Sequence, residues 1–330
     1  MLSYTIFLLY FNRLSMPRSK VQFQKGLSDI SFMETYGSEE KCIEHVKKAK
    51  WPNGFICPKC GHDKACCLTS RKVYQCNKCH KQTSLIAGTI FQGTKLPLQL
   101  WFVAMHHLTS SKHGISSVEL SRKMGVSVNT ALTVRHKLQQ VMHERNSKKK
   151  LSGRVEIDDA YIGGENTGGK RGRGSENKTP FVAAISTTED GEPDQIKLNV
   201  VSGFRKPSIK KWAKDHLSKD SNVVSDGLSC FRAVEKVGCS HERIVVGPGK
   251  KSTDLTCFNW VNTMLGNIKT SLVGTYHSFS QEHVPRYLAE FQYRFNRRYD
   301  LKAMIPRLLF ASIGTPPMPK RLLKLAESHW

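Results

Sequence analysis

The sequence predicts a mixed α/β (α+β) protein in which a small cysteine-rich module and a pair of helices precede a larger mixed sheet covered by helices. Three observations carry this. Cysteines crowd into one short segment near the front, helical periodicity runs over residues 97–145, and from Arg154 onward strands alternate with helices. At 330 residues, 39% of them hydrophobic, the chain is long enough for two or three domains with at least one full core, which excludes a disordered protein.

Charge narrows the partner. The 51 Lys+Arg against 27 Asp+Glu leave a net of +24, and residues 1–150 alone hold 24 basic against 8 acidic residues. A surplus this large favours a polyanion such as nucleic acid, and binding that weakens steeply with salt. Charge by itself does not choose between DNA, RNA and an acidic membrane, and a merely solvated surface is the bland alternative. Residues 1–36 read as an N-terminal extension. Its apolar start, Leu2 to Phe11, is too short for a membrane span and lacks a cleavage pattern, so it reads as a frayed terminus or as sequence ahead of a second start at Met16. No membrane is expected.

The ten cysteines are Cys42, Cys57, Cys60, Cys66, Cys67, Cys76, Cys79, Cys230, Cys239 and Cys257, and their clustering suits a reducing cytoplasm with one metal site better than a disulfide framework. Residues 38–49, with Cys42, Ile43 and Val46 at helical spacing, predict a short helix before the turn Trp51-Pro52-Asn53-Gly54. Within residues 37–92, Cys57-Pro58-Lys59-Cys60 and Cys76-Asn77-Lys78-Cys79 are two CxxC knuckles fifteen residues apart, a spacing that lets four thiolates meet around zinc. Four ligands leave no open position, so this zinc is structural. Redox thiols are the alternative, but redox CxxC sites occur singly in a βαβ setting. Cys66 and Cys67 read as spare, and His62 and His80 as surface residues. Lys59, Lys64, Arg71, Lys72, Lys78 and Lys81 suit phosphate contact.

Residues 93–146 read as a helix-turn-helix. Ser116 caps a helix through Met124, Gly125 ends it, and Ser127 caps a second helix from Val128 to about His143. Ala131, Val134, Leu138, Val141 and Met142 form its apolar stripe, leaving Asn129, Thr130, Thr133, His136 and Lys137 for the major groove. An ordinary helical hairpin is the alternative; Arg135, at the stripe's edge, is unassigned. Residues 147–153 form a basic linker.

From Arg154 to residue 305 the order is βββαβαβα: strands at Arg154–Ile162, Phe181–Thr187 and Gln195–Ser202, a helix at Ser208–Leu217, a strand at Asn222–Ser225, a helix near Leu228–Val237, a strand at Arg243–Val246 and a helix at Phe258–Leu272. The Gly163–Lys178 loop carries Lys170, Arg171 and Arg173, as a DNA clamp or a solvated loop. Asp158 sits on the strand face opposite Val155 and Ile157, together with Glu156, and a mid-sheet carboxylate is costly unless paired or metal-bound. Asp226 ends a later strand. Two such aspartates are what a two-metal phosphoryl-transfer site needs, although Asp-Gly after a strand is often only a turn. Asn262 and Lys269 share a helix face about 10 Å apart, a solvent-exposed edge unless context says otherwise. Tyr287, Leu288, Phe291 and Phe295 read as core, Arg294, Arg297 and Arg298 as possible DNA contacts, and residues 306–330 as a C-terminal tail.

From Gly37 to Asp300 the chain resembles the zinc-ribbon, ISXO-two-like group of DDE-superfamily insertion-sequence transposases. The double knuckle carries the resemblance, together with Val155-Glu156-Ile157-Asp158-Asp159-Ala160-Tyr161-Ile162-Gly163-Gly164, Ser225-Asp226-Gly227, Gly274-Thr275-Tyr276-His277, and the segment from Tyr287 to Arg298. The resemblance implies a ribonuclease-H-like catalytic domain, with Asp158 and Asp226 as ligands of Mg or Mn. It also implies a third ligand on a late helix with a Lys seven residues beyond, which counting back from Gly274 makes Asn262 and Lys269. Asn replaces the usual Glu, a variation also found in this group. Asn267 lies about 200° around the helix from Lys269 and is a poorer candidate. Asp159 would stand behind the ligands. The implied partner is double-stranded DNA, both element ends and target, bound by a homo-oligomer in the cytoplasm, on the nucleoid. The rival reading is a non-enzymatic DNA-binding regulator with a decayed catalytic domain, Asn262 being the lesion.

Overall fold

The computed structural model describes residues 24–146, 149–163, 178–245, 256–276 and 280–328. At the front, α1 (Asp29–Tyr36) and α2 (Glu39–Lys50) begin at serine caps, Ser28 and Ser38, whose hydroxyls accept the N–H groups of Ser31 and Lys41. Strands β1 (Ala65–Leu68), β2 (Val73–Cys76) and β3 (Gln82–Ser84) form a small antiparallel sheet. It docks on the end of α2, where Trp51, Phe55 and Tyr74 cluster and the Lys50 ammonium donates to the carbonyls of Leu85 and Ala87.

Three helices follow, α3 (Leu98–Ser110), α4 (Ser117–Met124) and α5 (Val128–Asn146). The caps form where the sequence placed them. Ser116 accepts the Glu119 N–H, Ser127 accepts the Thr130 N–H, and Gly125 ends α4 at φ +64°, a left-handed conformation that suits glycine. The start of α3 has only Pro97 before it, and the Glu39 carboxylate of α2 caps it instead, accepting the N–H groups of Leu98 and Gln99 at 2.9 Å.

The larger sheet comprises β4 (Arg154–Ile162), β5 (Thr179–Thr187), β6 (Pro193–Val200), β7 (Asn222–Ser225) and β8 (Ser240–Arg243). Their spatial order is β6-β5-β4-β7-β8, with β4, β5 and β6 antiparallel and β4, β7 and β8 parallel. This is the mixed sheet expected of a ribonuclease-H-like domain. One face packs on α7 (Asn259–Tyr276) and α8 (Val284–Phe295). The other packs on α6 (Lys206–His216) and a 3-10 helix, Ser229–Val237.

Several expectations need correction. The strand expected at Arg243–Val246 lies at Ser240–Arg243, because its register with Asn222–Ser225 starts at Ser240. The helix α1 lies inside the segment read as an extension. The segment read as a C-terminal tail contains most of α9 (Met304–Ile313) and all of α10 (Lys320–Ser328). Ile305, Leu308 and Leu309 of α9 are buried in the same core as Phe32, Val46, Trp101 and Leu138, so α9 packs into the helical module formed by α1 to α5. Leu151, in the linker, is buried and bridges to Leu217.

Candidate active site and metal centres

The two knuckles fold alike. The Cys57 N–H donates to His62 O and the Gly61 N–H to Cys57 O; in the second knuckle Cys76 N–H donates to Lys81 O and His80 N–H to Cys76 O. Gly61 and His80, both left-handed at φ +72° and +53°, occupy equivalent turn positions, so His80 has a backbone role and its exposed ring lies outside the sulfur cluster. The four sulfurs lie within 4.8 Å of one another, with Cys57 to Cys79 at 3.5 Å and Cys60 to Cys76 at 3.6 Å. Four thiolates around one zinc at ~2.3 Å would stand about 3.8 Å apart, so the donor set fits that ion. Cys66 and Cys67 are exposed on β1, apart from the cluster, and the six basic residues of the ribbon are exposed.

The acidic site arises from strand register. Parallel pairing of β4 with β7 ends at Ile157 opposite Ser225, so the next residues along, Asp158 and Asp226, come side by side. Across the antiparallel pair Asp158 faces Ala183, whose small side chain leaves room. Carboxylate oxygens of Asp158, Asp159 and Asp226 lie within 4.8 Å of one another. Asp159 therefore belongs to the cluster itself, which its place one residue along the strand had not suggested. The Asp159 N–H donates to Asp158 and the Leu228 N–H to Asp226, fixing both rotamers. Burial, and then the charges of Asp159 and Asp226, push the Asp158 carboxyl up to about 7; the Asp159 N–H and the Lys269 ammonium oppose the rise. An Asp158 carboxyl that resists ionising beside two other carboxylates suits a divalent cation, which offsets their repulsion.

Glu156, which shares a strand face with Asp158, has a different task. It is 1% exposed, and its carboxylate accepts the N–H groups of Trp260 at 3.1 Å and Val261 at 3.0 Å, at the N-terminus of α7, as well as the Arg154 guanidinium at 2.8 Å. The strand bearing Asp158 is thus bonded directly to the first turn of the helix bearing Asn262 and Lys269. Both of those residues are exposed on α7, whereas Val261, Met264, Leu265, Ile268 and Leu272 are buried beneath it. The helix runs four residues further than expected, to Tyr276.

The residues proposed for DNA contact divide. Asn129 is exposed, and Thr130, Thr133 and Lys137 are partly exposed on α5. His136 is not on that outer face: it is 6% exposed, packed on the rings of His283 and Tyr287, and burial holds its pKa down to about 2. The stripe is wider than its apolar residues because polar ones also face α8. Arg135 lies beside the rings of Tyr276 and Tyr287 and donates to the Tyr287 hydroxyl. Gln139 donates to Glu290, which also accepts from the Tyr276 hydroxyl and the Arg294 guanidinium. Arg294 is therefore internal, and Arg298 donates to the carbonyls of Pro193 and Asp194, so neither points at a ligand. Lys170, Arg171 and Arg173 lie outside the described residues. Among the described residues no helix is long and apolar enough to cross a membrane.

Comparison with known proteins gives two family matches. Residues 37–82 match the transposase zinc-ribbon domain and residues 150–296 the ISXO2-like transposase domain. A protein encoded in transposable element ISH50 of Halobacterium salinarum is 24% identical over 282 residues, covering 79% of this chain and 92% of that protein. Among solved structures, a chain of the simian T-cell lymphotropic virus intasome in complex with PP2A regulatory subunit B56 gamma aligns at 13% identity and a TM-score of 0.31, over 66% of this chain and 76% of that one. The Mos1 transposase paired-end complex with left transposon end aligns at 11% identity and a TM-score of 0.26, over 63% and 76%.

Proposed function

On the premise that this chain is an ISXO2-like transposase carrying a transposase zinc-ribbon domain, we propose that it binds the ends of its own insertion sequence, cleaves the DNA there and transfers the strand to target DNA. The observation that carries this is the gathering of Asp158, Asp159 and Asp226 at the junction of β4 and β7. Asp158 and Asp226 would hold magnesium or manganese, with Asn262 lending a carbonyl oxygen and no charge. Such ions lower the pKa of an attacking water or 3′-hydroxyl and stabilise the leaving oxygen. Lys269 grips a phosphate of the scissile strand, and Asp159, whose carboxylate lies in the same cluster, adds negative charge to the site. Glu156 fixes the distance between strand and helix, so Asn262 and Lys269 arrive with the aspartates already in place.

Cys57, Cys60, Cys76 and Cys79 hold a structural zinc that stiffens a cationic module. That module and the exposed side of α5, with Asn129, Thr130, Thr133 and Lys137, engage the element ends. The protein acts as a homo-oligomer on DNA in the cytoplasm. A second reading, a DNA-binding regulator without catalysis, is favoured only by the uncharged Asn262. Magnesium- or manganese-dependent nicking of terminal-repeat DNA, lost in Asp158→Ala and in Asp226→Ala, is the expected result. Nicking retained in both variants rejects the assignment, and no nicking by the unaltered protein favours the regulator.

A further inference from the structure

A cavity of about 510 Å³ opens between the C-terminal ends of α5 and α8, the edge strand β6 and α9. Five cations line it, Arg145, Lys149, Lys197, Arg297 and Arg307, and none of its described lining residues is acidic. It is separate from the aspartate cluster. On β6, Ile196 and Leu198 pack into the core on the sheet face that bears Asp158. Side chains alternate along a strand, so Lys197 between them lies on the opposite side.

The charge in this cavity is poorly compensated. Lys197 is 2% exposed and its ammonium donates to the Asn146 carbonyl. Arg297 donates to Asn146 Oδ1 and Tyr293 O and lies 3.7 Å over the Tyr293 ring. These neutral acceptors satisfy hydrogen bonds but leave the charges standing; of the five cations Arg307 is paired, with Asp300 at 3.0 Å. Burial, with Lys149 and Arg297 close by, brings the Lys197 ammonium down to about 8. Lys197, buried and without an acidic partner among the described residues, is costly to keep charged, and with Arg145, Lys149 and Arg297 beside it the cavity is complementary to an anion. Among its lining residues Phe310 is a large ring left 59% exposed. Cations beside an exposed aromatic ring are the pairing that takes a phosphate and a base together, and a ring can stack only on a base that is unpaired.

We propose that this cavity seats one nucleotide unit of a single DNA strand, its phosphate held by Arg145, Lys149 and Lys197 and its base stacked on Phe310. The choice of a strand over a free nucleotide rests on the reading of the protein as a transposase, whose cleavage creates strand ends that can unpair.

The test uses the full chain and a fluorescent oligothymidylate, with a duplex of equal length as control. Phe310→Ala should weaken binding of the single strand roughly five- to a hundred-fold while leaving duplex binding and thermal stability unchanged, since the ring is exposed. Arg145→Gln combined with Lys149→Gln, both exposed positions, should lower the log–log salt slope for the single strand by about 1.4. Unchanged single-strand affinity and slope in these variants overturns the proposal, as does an equal loss for single strand and duplex. Thymidine monophosphate that displaces the oligonucleotide at comparable concentration reassigns the cavity to a free nucleotide. Because Asp158 and Asp226 are intact in these variants, nicking of terminal-repeat DNA measured alongside separates failure of this site from failure of the transposase reading.

Discussion

Glu156→Gln removes one charge and changes almost nothing else in volume, so it isolates the bond between β4 and α7. In the native protein one carboxylate oxygen accepts two helix N–H groups, at 3.1 and 3.0 Å, and the other accepts Arg154 at 2.8 Å. Glutamine has a single acceptor oxygen. If that oxygen stays on the helix, its amide N–H₂ meets the Arg154 guanidinium, donor against donor. Arg154 is 38% exposed and also donates to Cys257 O, so it can turn towards water. What is lost is a charge-assisted hydrogen bond, about 1.5–3 kcal/mol, and a negative charge at a helix N-terminus, up to about 2 kcal/mol when buried. Together these predict a loss of about 3 kcal/mol, or a fall in Tm of about 6–12 °C for a domain of this size. Thermal unfolding measures the loss, and amide exchange at Trp260 and Val261 localises it. Displacing α7 also misplaces Asn262 and Lys269, so metal-dependent nicking should fall about 100-fold. A loss under about 1 kcal/mol with both amides still protected would refute the anchoring role.

Other outcomes follow from the two candidate metal centres. In metal-free protein the Asp158 carboxyl titrates near 7 against 3.8 unfolded, so the folded state keeps a proton that the unfolded chain has released. This carboxyl's contribution to stability is then fullest below pH 4 and declines towards pH 7, by up to about 4 kcal/mol. Urea titrations in chelator should show that slope flattened in Asp158→Asn, and an unaltered slope contradicts it. Metal analysis should find one zinc per chain, and its removal should unfold β1–β3 while the five-stranded sheet persists; near-zero zinc with an ordered ribbon opposes this. Asn262→Glu should preserve or raise metal-dependent nicking and Asn262→Leu abolish it, whereas full activity in the leucine variant moves the third ligand elsewhere.

Much of the architecture was legible because its causes are local. The CxxC spacing, the serine caps at Ser116 and Ser127 and the stop at Gly125 each act within a few residues, and each appears where the sequence put it. Strands β4 and β7 were legible for the same reason. What the sequence left hidden depends on distant partners. Glu156 reads as a second acid beside Asp158, and only the arrival of a helix about 100 residues later makes it a cap. Glu39 does the same for α3. His136 reads as polar and outward because periodicity counts apolar residues, whereas α5 also buries Arg135 and Gln139 against α8. Asp159, expected behind Asp158 and Asp226, has a carboxylate oxygen within 4.8 Å of theirs, a closeness that depends on the pairing of β4 with β7. The basic cavity was out of reach, since its cations come from four segments spread over more than 160 residues.

The burial of α9 in the helical core near the N-terminus bears on when the protein matures. Residues 305–309 close a core whose other members begin at Phe32, so its last layer is synthesised some 270 residues after its first. Contacts of such separation form late, and a chain emerging from the ribosome keeps this apolar surface open until residues 305–309 have been made. A chain ending at Lys302 should therefore be cleaved within α3 and α5 under limited proteolysis that the full chain resists. An equally resistant truncated chain would show that the front half folds unaided. The cationic module is thereby withheld from full order until the five-stranded sheet and α9 have both been made.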